Sequence, residues 1–442
     1  MKISMKETPI NIEIVDRELM ENGIKNVGRA SIREIKRLID SVENKSGERF
    51  IRMEMGIPGL PPSEIAIEAE IAALRAGKAA VYPDIYGTPE LKKEISRFCK
   101  LFLNIDVNVE GCIPTVGSMM GAFASFLTIN RMYADRDGTL FLDPGFPVHK
   151  QQCRILGQKC YAFDVYDHRG EKLRTKMESI MSTGKVSSIL YSNPNNPSWI
   201  CFTDRELKII AELADKYNVI VLEDLAYFGM DFRKDYSKPG QPPYQPSVAH
   251  YTDNYILLIS SSKAFSYAGQ RIGMMAIADK VFNTVAPDLK RFYAFDQVGK
   301  AMIFGSVYAI SSGTAHTPQY ALAAMLKAVN DGSYNFVDVV KEYGEKAKVM
   351  KKMFTSNGFN IVYDKDEDKP IADGFYFTFS YPGFTGDELL KELLYYGISA
   401  ISLEITGSDR LEGIRACVSL IQRSDFPTLE KRLKKFRENN PV

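Results

Sequence analysis

Charge of one sign is missing from this sequence: 56 Lys and Arg stand against 55 Asp and Glu, a formal net of +1 over 442 residues. No large one-signed field steers such a chain to nucleic acid or to an anionic membrane surface. Cysteine is sparse. Cys99, Cys112, Cys153, Cys160, Cys201 and Cys417 include no CxxC pair, which argues for free core thiols and against a zinc site or a disulfide framework. Histidine is scarcer still, with four residues, and tryptophan occurs once. Long apolar runs are absent. Residues 111–130 and 301–326 lack charges but carry Gly, Ser, Thr and Pro, so they read as buried core and not as membrane spans. The N-terminus, MKISMKETPINIEIVD, has no apolar signal core, so a cytoplasmic location is expected. No internal repeat or low-complexity segment is evident.

What is present is length, 45% hydrophobic residues, and an alternation of elements. The length favours two domains over one. Residues 1–50 are polar and charged. Within them SIREIKRL, residues 31–38, has serine with glutamate three positions on, a capping box that predicts a helical arm. MEMGIPGLPP, residues 53–62, is a loop. Pro62 and Ser63 open a helix to about Ala76, YPDIYGTPE at 82–90 is a turn, and a helix follows to Phe102. TVGSMM at 115–120 is a small-residue turn entering a helix over 121–129.

Strands are predicted at 139–142, 188–191, 219–222 and 255–259, with a helix at 204–217. Each strand runs into a polar cluster: DPGFP at 143–147, NPNNP at 193–197, EDLAY at 223–227 and SSSK at 260–263. Alternating strands and helices imply a mostly parallel sheet, and open α/β sheets place ligands at the C-terminal ends of their strands. Residues 231–251, rich in Pro and Tyr, read as loop. A long helix is predicted over 330–353, then strands at 360–363 and 375–379, a helix at 387–396, a strand near 414–420, and a final amphipathic helix carrying Leu429, Leu433 and Phe436.

The chain is organised around YILLISSSKAFSYAGQRIG, residues 255–273. An apolar strand stops in Ser260, Ser261 and Ser262; Lys263 follows, and Arg271 lies eight residues on. Desolvation at a buried strand end lowers an amine's pKa. A neutral amine there can attack an aldehyde and form a Schiff base. The serines and Arg271 could hold a phosphate beside it. Taken alone, SSSK also reads as a solvated lysine in a polar loop.

The order and spacing of these motifs, from about Met53 to Leu420, resemble the fold type I pyridoxal-phosphate enzymes, the class I/II aminotransferases. The resemblance implies an α/β fold: a large domain with a mostly parallel sheet flanked by helices, and a smaller α+β domain built from both chain ends. Boundaries are expected at 1–64 for the N-terminal arm and part of the small domain, 65–325 for the large cofactor-binding domain, and 326–442 for the C-terminal part. The implied cofactor is pyridoxal 5'-phosphate, and no metal is called for.

By the same resemblance Lys263 bonds the cofactor and moves a proton. Ser118, Met119, Ser260, Ser262 and Arg271 hold its phosphate, and Tyr82 reaches the phosphate of a neighbouring subunit in a homodimer with shared sites. Asp224 pairs with the ring nitrogen, which makes the ring an electron sink. Tyr227 and Asn196 bond the ring hydroxyl, and Phe146 stacks on the ring. Gly56, Asn196 and Arg415 take the substrate carboxylate, for which an arginine fork is suited. Several of these have plainer readings: Asp224 as a strand-end turn, Phe146 as core, Arg415 as a surface residue on an edge strand. His149 matches a histidine that some members keep behind the cofactor, and Trp199 either lines the site or packs in the core. Ser261 and Tyr267 depart from the family pattern, where apolar residues are usual.

The function implied is transfer of an amino group from an amino acid to a 2-oxo acid. A lyase, decarboxylase or cyclopropane-forming synthase of the same fold is the alternative, since fold does not settle reaction. A cofactor-binding transcription regulator is a minor alternative; residues 1–52 show no basic, winged-helix-like pattern. Dicarboxylate-specific members use an extra arginine from the partner subunit. The corresponding residues 306–317, SVYAISSGTAHT, have none, although His316 and Tyr308 are there. A neutral or aromatic amino acid is therefore expected to be at least as good a donor as aspartate, unless Arg29 or Arg33 of the N-terminal arm folds over the site.

Overall fold

A computed structural model describes residues 6–441; residues 1–5, where the segment searched for a signal core begins, and residue 442 lie outside it. Seven strands form the central sheet, in the order Cys112–Thr115, Gly273–Ile277, Tyr255–Ser260, Ile220–Asp224, Val186–Ser192, Gly138–Asp143, Lys159–Asp164. Neighbours from Tyr255–Ser260 to Lys159–Asp164 are parallel. Gly273–Ile277 runs antiparallel to both of its neighbours. The sheet is thus mostly parallel, as expected, with one reversed strand near an edge.

Central strands such as Val186–Ser192 and Tyr255–Ser260 are buried along their whole length, as a parallel sheet covered by helices on both faces requires. The polar residues this traps are paired. Ser188 lies 2.8 Å from both Thr139 and Asn130. The helices are punctuated by their own residues. Asp204–Tyr217 starts on a Thr203–Glu206 capping box and stops at Asn218, in the left-handed region, two devices that bond otherwise orphaned backbone groups.

Two expected helices are corrected. The helix expected from 121 begins at Gly117 and runs to Ile129. Gly117, at φ +67°, turns the chain from strand directly into helix, so the small residues form the first turn instead of a loop. The helix expected over 330–353 starts late, at Phe336, and runs to Ser356; Asn330 instead ends a helix that was not anticipated, His316–Asn330. Gly332, at φ +73°, breaks the run, and Asn335 caps the second helix. Strands Cys112–Thr115, Lys159–Asp164 and Gly273–Ile277 were not anticipated. Lys159–Asp164 is a half-exposed edge strand whose charged and polar residues hide the apolar alternation.

The smaller, α+β part has a four-stranded antiparallel sheet, ordered Ile401–Ser402, Ile414–Cys417, Tyr376–Ser380, Asn360–Ile361. Both chain ends contribute to it. Ile51–Arg52 pairs in parallel with Ile398–Ser399, and helix Ile12–Glu21 packs on helix Gly386–Tyr395. Ile414–Cys417 is an interior strand, so Arg415 does not sit on an edge. No helix among the described residues is long and apolar enough to cross a membrane.

Candidate active site

A cavity of about 750 Å³ opens at the C-terminal ends of the central strands. Each polar cluster of the large sheet delivers a side chain to it. Phe146 and His149 follow strand Gly138–Asp143, Asn196 follows Val186–Ser192, and Asp224 and Tyr227 end or follow Ile220–Asp224. Ser260 and Ser262 flank the end of Tyr255–Ser260, with Lys263 beside them in the short helix Ser261–Ala264. Ser118 and Met119 come from the first turn of Gly117–Ile129. Gly56, Tyr376 and Arg415 close the cavity from the smaller part.

Burial sets the acid–base chemistry. The Lys263 amine is pushed down from 10.5 to about 8, first by desolvation, with the guanidinium groups of Arg415 and Arg271 adding to it. At pH 8 that turns an amine about 0.3% neutral into one about half neutral. Lys263 Nζ bonds the Gly56 carbonyl and lies 5.5 Å from the Phe375 ring centre. Asp224 is pushed the other way, from 3.8 to about 7, because burial disfavours its charge and one backbone N–H, from Ala226 at 3.1 Å, only partly offsets it. It has no cationic partner among the described residues. Tyr227 donates to the Tyr376 hydroxyl at 2.9 Å, and burial holds both phenols well above their ordinary value.

The cavity offers two places for anions. At one, Ser118, Ser260, Ser262 and Arg271 share the lining with the start of helix Gly117–Ile129. A helix start presents free N–H groups and a positive dipole end to a phosphate. A Cβ on Gly117 would sit 2.7 Å from Arg271 Nη2, so only glycine lets that arginine close on the turn. At the other, Arg415 is 2% exposed. Its Nη2 donates to the Glu54 carbonyl at 2.6 Å and its Nη1 to Asn196 Oδ1 at 3.3 Å, while its Nε has no partner among the described residues. A buried guanidinium with no acidic partner is costly and is relieved by a carboxylate ligand. A Cβ on Gly56 would fall 2.2 Å from the Tyr376 hydroxyl, so glycine is also needed there.

These residues fit pyridoxal 5'-phosphate. The unpaired buried Asp224 suits a protonated ring nitrogen, the depressed Lys263 amine an aldehyde, the serine–arginine corner a phosphate, and Phe146 a ring face. The orphaned Nδ1 of His149 lies in the same cavity, its pKa pushed down to about 4 by burial.

Tyr82 is the one expected site residue that the fold keeps away from this cavity; it is 89% exposed. His316 lies near it instead, with Nδ1 2.9 Å from the Val81 carbonyl oxygen. Trp199 is core, edge-on to Tyr227 and Tyr376. The two departures from the family pattern are satisfied locally: Ser261 donates to the Ile272 carbonyl at 2.6 Å and Tyr267 bonds Glu70. Tyr376 was missed, because one tyrosine in a buried FYFTF strand carries no local signal. Arg29 and Arg33 of the N-terminal arm line the cavity.

The sequence model of the family described as aminotransferase class I and II matches residues 49–367. A probable aspartate aminotransferase of Methanocaldococcus jannaschii is 28% identical over 380 residues, covering 85% of this chain and 88% of that protein. An aspartate aminotransferase of Pyrococcus horikoshii is 24% identical, covering 74% and 79%. Among solved structures, a single mutant of Thermus thermophilus aspartate aminotransferase superposes with a TM-score of 0.73 at 19% identity, over 93% of this chain and 97% of that one. At that identity the superposition speaks for the fold alone.

Proposed function

The chain belongs to the class I and II aminotransferase family and is a pyridoxal-phosphate-dependent aminotransferase, and we propose a role for each side chain of its cavity in that reaction. When bound, the cofactor supplies an electron-withdrawing ring that makes the proton on the substrate's α-carbon removable. Asp224 would hold a proton on the ring nitrogen. Tyr227 and Asn196 would donate to the ring oxygen. Ser118, Met119, Ser260, Ser262 and Arg271 would hold the phosphate, and Phe146 would cover one ring face. Arg415, with Asn196 and the loop at Gly56, clamps the substrate α-carboxylate. That aims the α-hydrogen at Lys263 Nζ, which takes it as general base and returns it on the cofactor side.

The observation that carries this reading is a single cavity joining a buried, unpaired carboxylate, a desolvated amine and a buried, unpaired guanidinium. The test is a half-reaction. With an amino acid and no acceptor, the protein should release the matching 2-oxo acid and stop after one turnover, with the cofactor left in its amino form. A panel of donors against 2-oxoglutarate, pyruvate and oxaloacetate then identifies the pair. Continued turnover with release of ammonia or carbon dioxide would instead establish a lyase or decarboxylase.

We further propose a homodimer with shared sites in the cytoplasm. Val81, Tyr82, Phe304 and Tyr308 are exposed, and Tyr86 packs edge-on to Phe304 at 5.2 Å, which ties these segments into one face. An apolar face of this kind suits a second copy, and Tyr82 would reach the partner's phosphate corner from it. The cytoplasm suits six cysteines that remain free thiols. Tyr82→Ala and Lys263→Ala, each inactive or nearly so alone, should regain activity when mixed and allowed to exchange subunits. One site in each mixed dimer would then hold both a good lysine and a good tyrosine; mixed dimers are about half of a random population, for a ceiling of about a quarter of wild-type activity. No recovery despite demonstrated exchange, or an active monomer, would count against shared sites.

A further inference from the structure

Two arginines of the N-terminal arm reach the cavity with no role in the reaction described above. Arg29 ends the turn Val27–Arg29, and Arg33 lies in the first turn of helix Ile32–Ser46. Their approach is set by packing. The turn Val27–Arg29 rests on Glu404–Thr406. That segment follows strand Ile401–Ser402, in which Ile401 is the register partner of Arg415. The arginines thus enter on the flank that carries the α-carboxylate clamp, and Ile405 lines the cavity beside them.

Their charges are not equivalent. Arg29 Nε donates to Glu404 at 2.9 Å. Arg33 is exposed and has no ion-pair partner among the described residues. The adjacent Glu34 is engaged in the helix cap, where it accepts from Ser31 N–H at 2.8 Å. Arg29 is thus paired, and Arg33 is left as the arm's unpaired guanidinium at the cavity. That matches one carboxylate. A planar guanidinium is the group that grips a carboxylate with two parallel bonds.

We propose that Arg33, with Arg29 anchored beside it by Glu404, binds the side-chain carboxylate of a dicarboxylic substrate, so that acidic amino acids are favoured over neutral ones. This rests on the aminotransferase reading and deepens it. It also reverses the preference expected from residues 306–317. The arginine absent from that stretch is supplied within the same chain, from the arm.

The experiment compares kcat/KM for aspartate, glutamate, alanine, leucine and O-phosphoserine in the holoenzyme, together with calorimetric binding of succinate and propionate, which do not react. Wild type should favour aspartate over alanine. Arg33→Gln should lower the aspartate-to-alanine ratio tenfold or more, Arg33→Glu should lower it further, and Arg33→Lys, which keeps the charge but not the two parallel bonds, should fall between wild type and Arg33→Gln. Succinate affinity should fall in the same order. An unchanged ratio and unchanged succinate binding in Arg33→Gln would overturn the assignment while leaving the aminotransferase reading intact. A preference for O-phosphoserine over aspartate would overturn the choice of a carboxylate. If wild type transaminated no donor, that reading would fail instead, and succinate binding by the variants would still decide the role of Arg33.

Discussion

Replacing Lys263 with alanine should reduce turnover by more than about ten-thousand-fold, the scale on which loss of a reacting nucleophile or base is felt. The size follows from how much is invested in one nitrogen. The strand Tyr255–Ser260 is buried throughout and ends against the cavity, so the residue after the serines is held half-buried at the cavity wall. Burial, helped by Arg415 and Arg271, brings its pKa to about 8, and an amine near the working pH is the best compromise between being free and being basic. No other lysine among the described residues lines the cavity, so none of them stands ready to replace it. The variant should still take up the cofactor through the serine–arginine corner and Asp224, but without the absorbance of the lysine-linked form. Lys263→Arg should be as poor as alanine, because a guanidinium stays protonated and cannot act as the base. Steady-state turnover and an absorbance spectrum of each purified variant decide it. Wild-type activity in either would end the assignment.

Much of this site was legible because the fold puts its ligands where strands stop. Apolar runs ending in SSSK, in EDLAY and in NPNNP mark strand ends by sequence alone, and a parallel sheet gathers those ends on one side. Lys263, Asp224, Tyr227 and Asn196 therefore line one cavity. Residues brought in from the smaller part were less visible. Tyr376 sits in a strand buried throughout, so its hydroxyl facing Tyr227 leaves no trace in the periodicity. Arg33 lies on the charged face of an amphipathic helix, where an arginine is ordinarily just solvated; only the packing of Val27–Arg29 on Glu404–Thr406 aims that face at the cavity. The late start of helix Phe336–Ser356 was hidden for a different reason. Glycine is tolerated inside a helical pattern at a cost of about 1 kcal/mol, so Gly332 did not push back a start read at Asn330.

Replacing Asp224 should lower kcat by at least about a hundredfold while leaving the cofactor bound, the cost seen when one fixed electrostatic partner of a reacting centre is removed. The carboxylate lies at the tip of Ile220–Asp224, buried, with Ala226 N–H as its one backbone donor. Its pKa is about 7 against 3.8 for a free aspartate. In the cofactor-free fold it therefore keeps its proton up to about pH 7, whereas the unfolded chain loses it near pH 4. The stability tied to that proton is fully present below pH 4 and is lost as the pH rises through 7. At about 1.36 kcal/mol per unit over roughly three units, the loss approaches about 4 kcal/mol. A cation brought against the carboxylate removes the reason for the raised pKa and restores that stability. The rise in Tm on adding pyridoxal 5'-phosphate should accordingly be larger at pH 8 than at pH 5. In Asp224→Asn, which is isosteric and does not ionise, the extra rise at pH 8 should vanish, and the cofactor-free variant should be more stable than cofactor-free wild type at that pH. Equal shifts at both pH values in wild type, or a wild-type kcat in the asparagine variant, would show that Asp224 does not face the ring nitrogen.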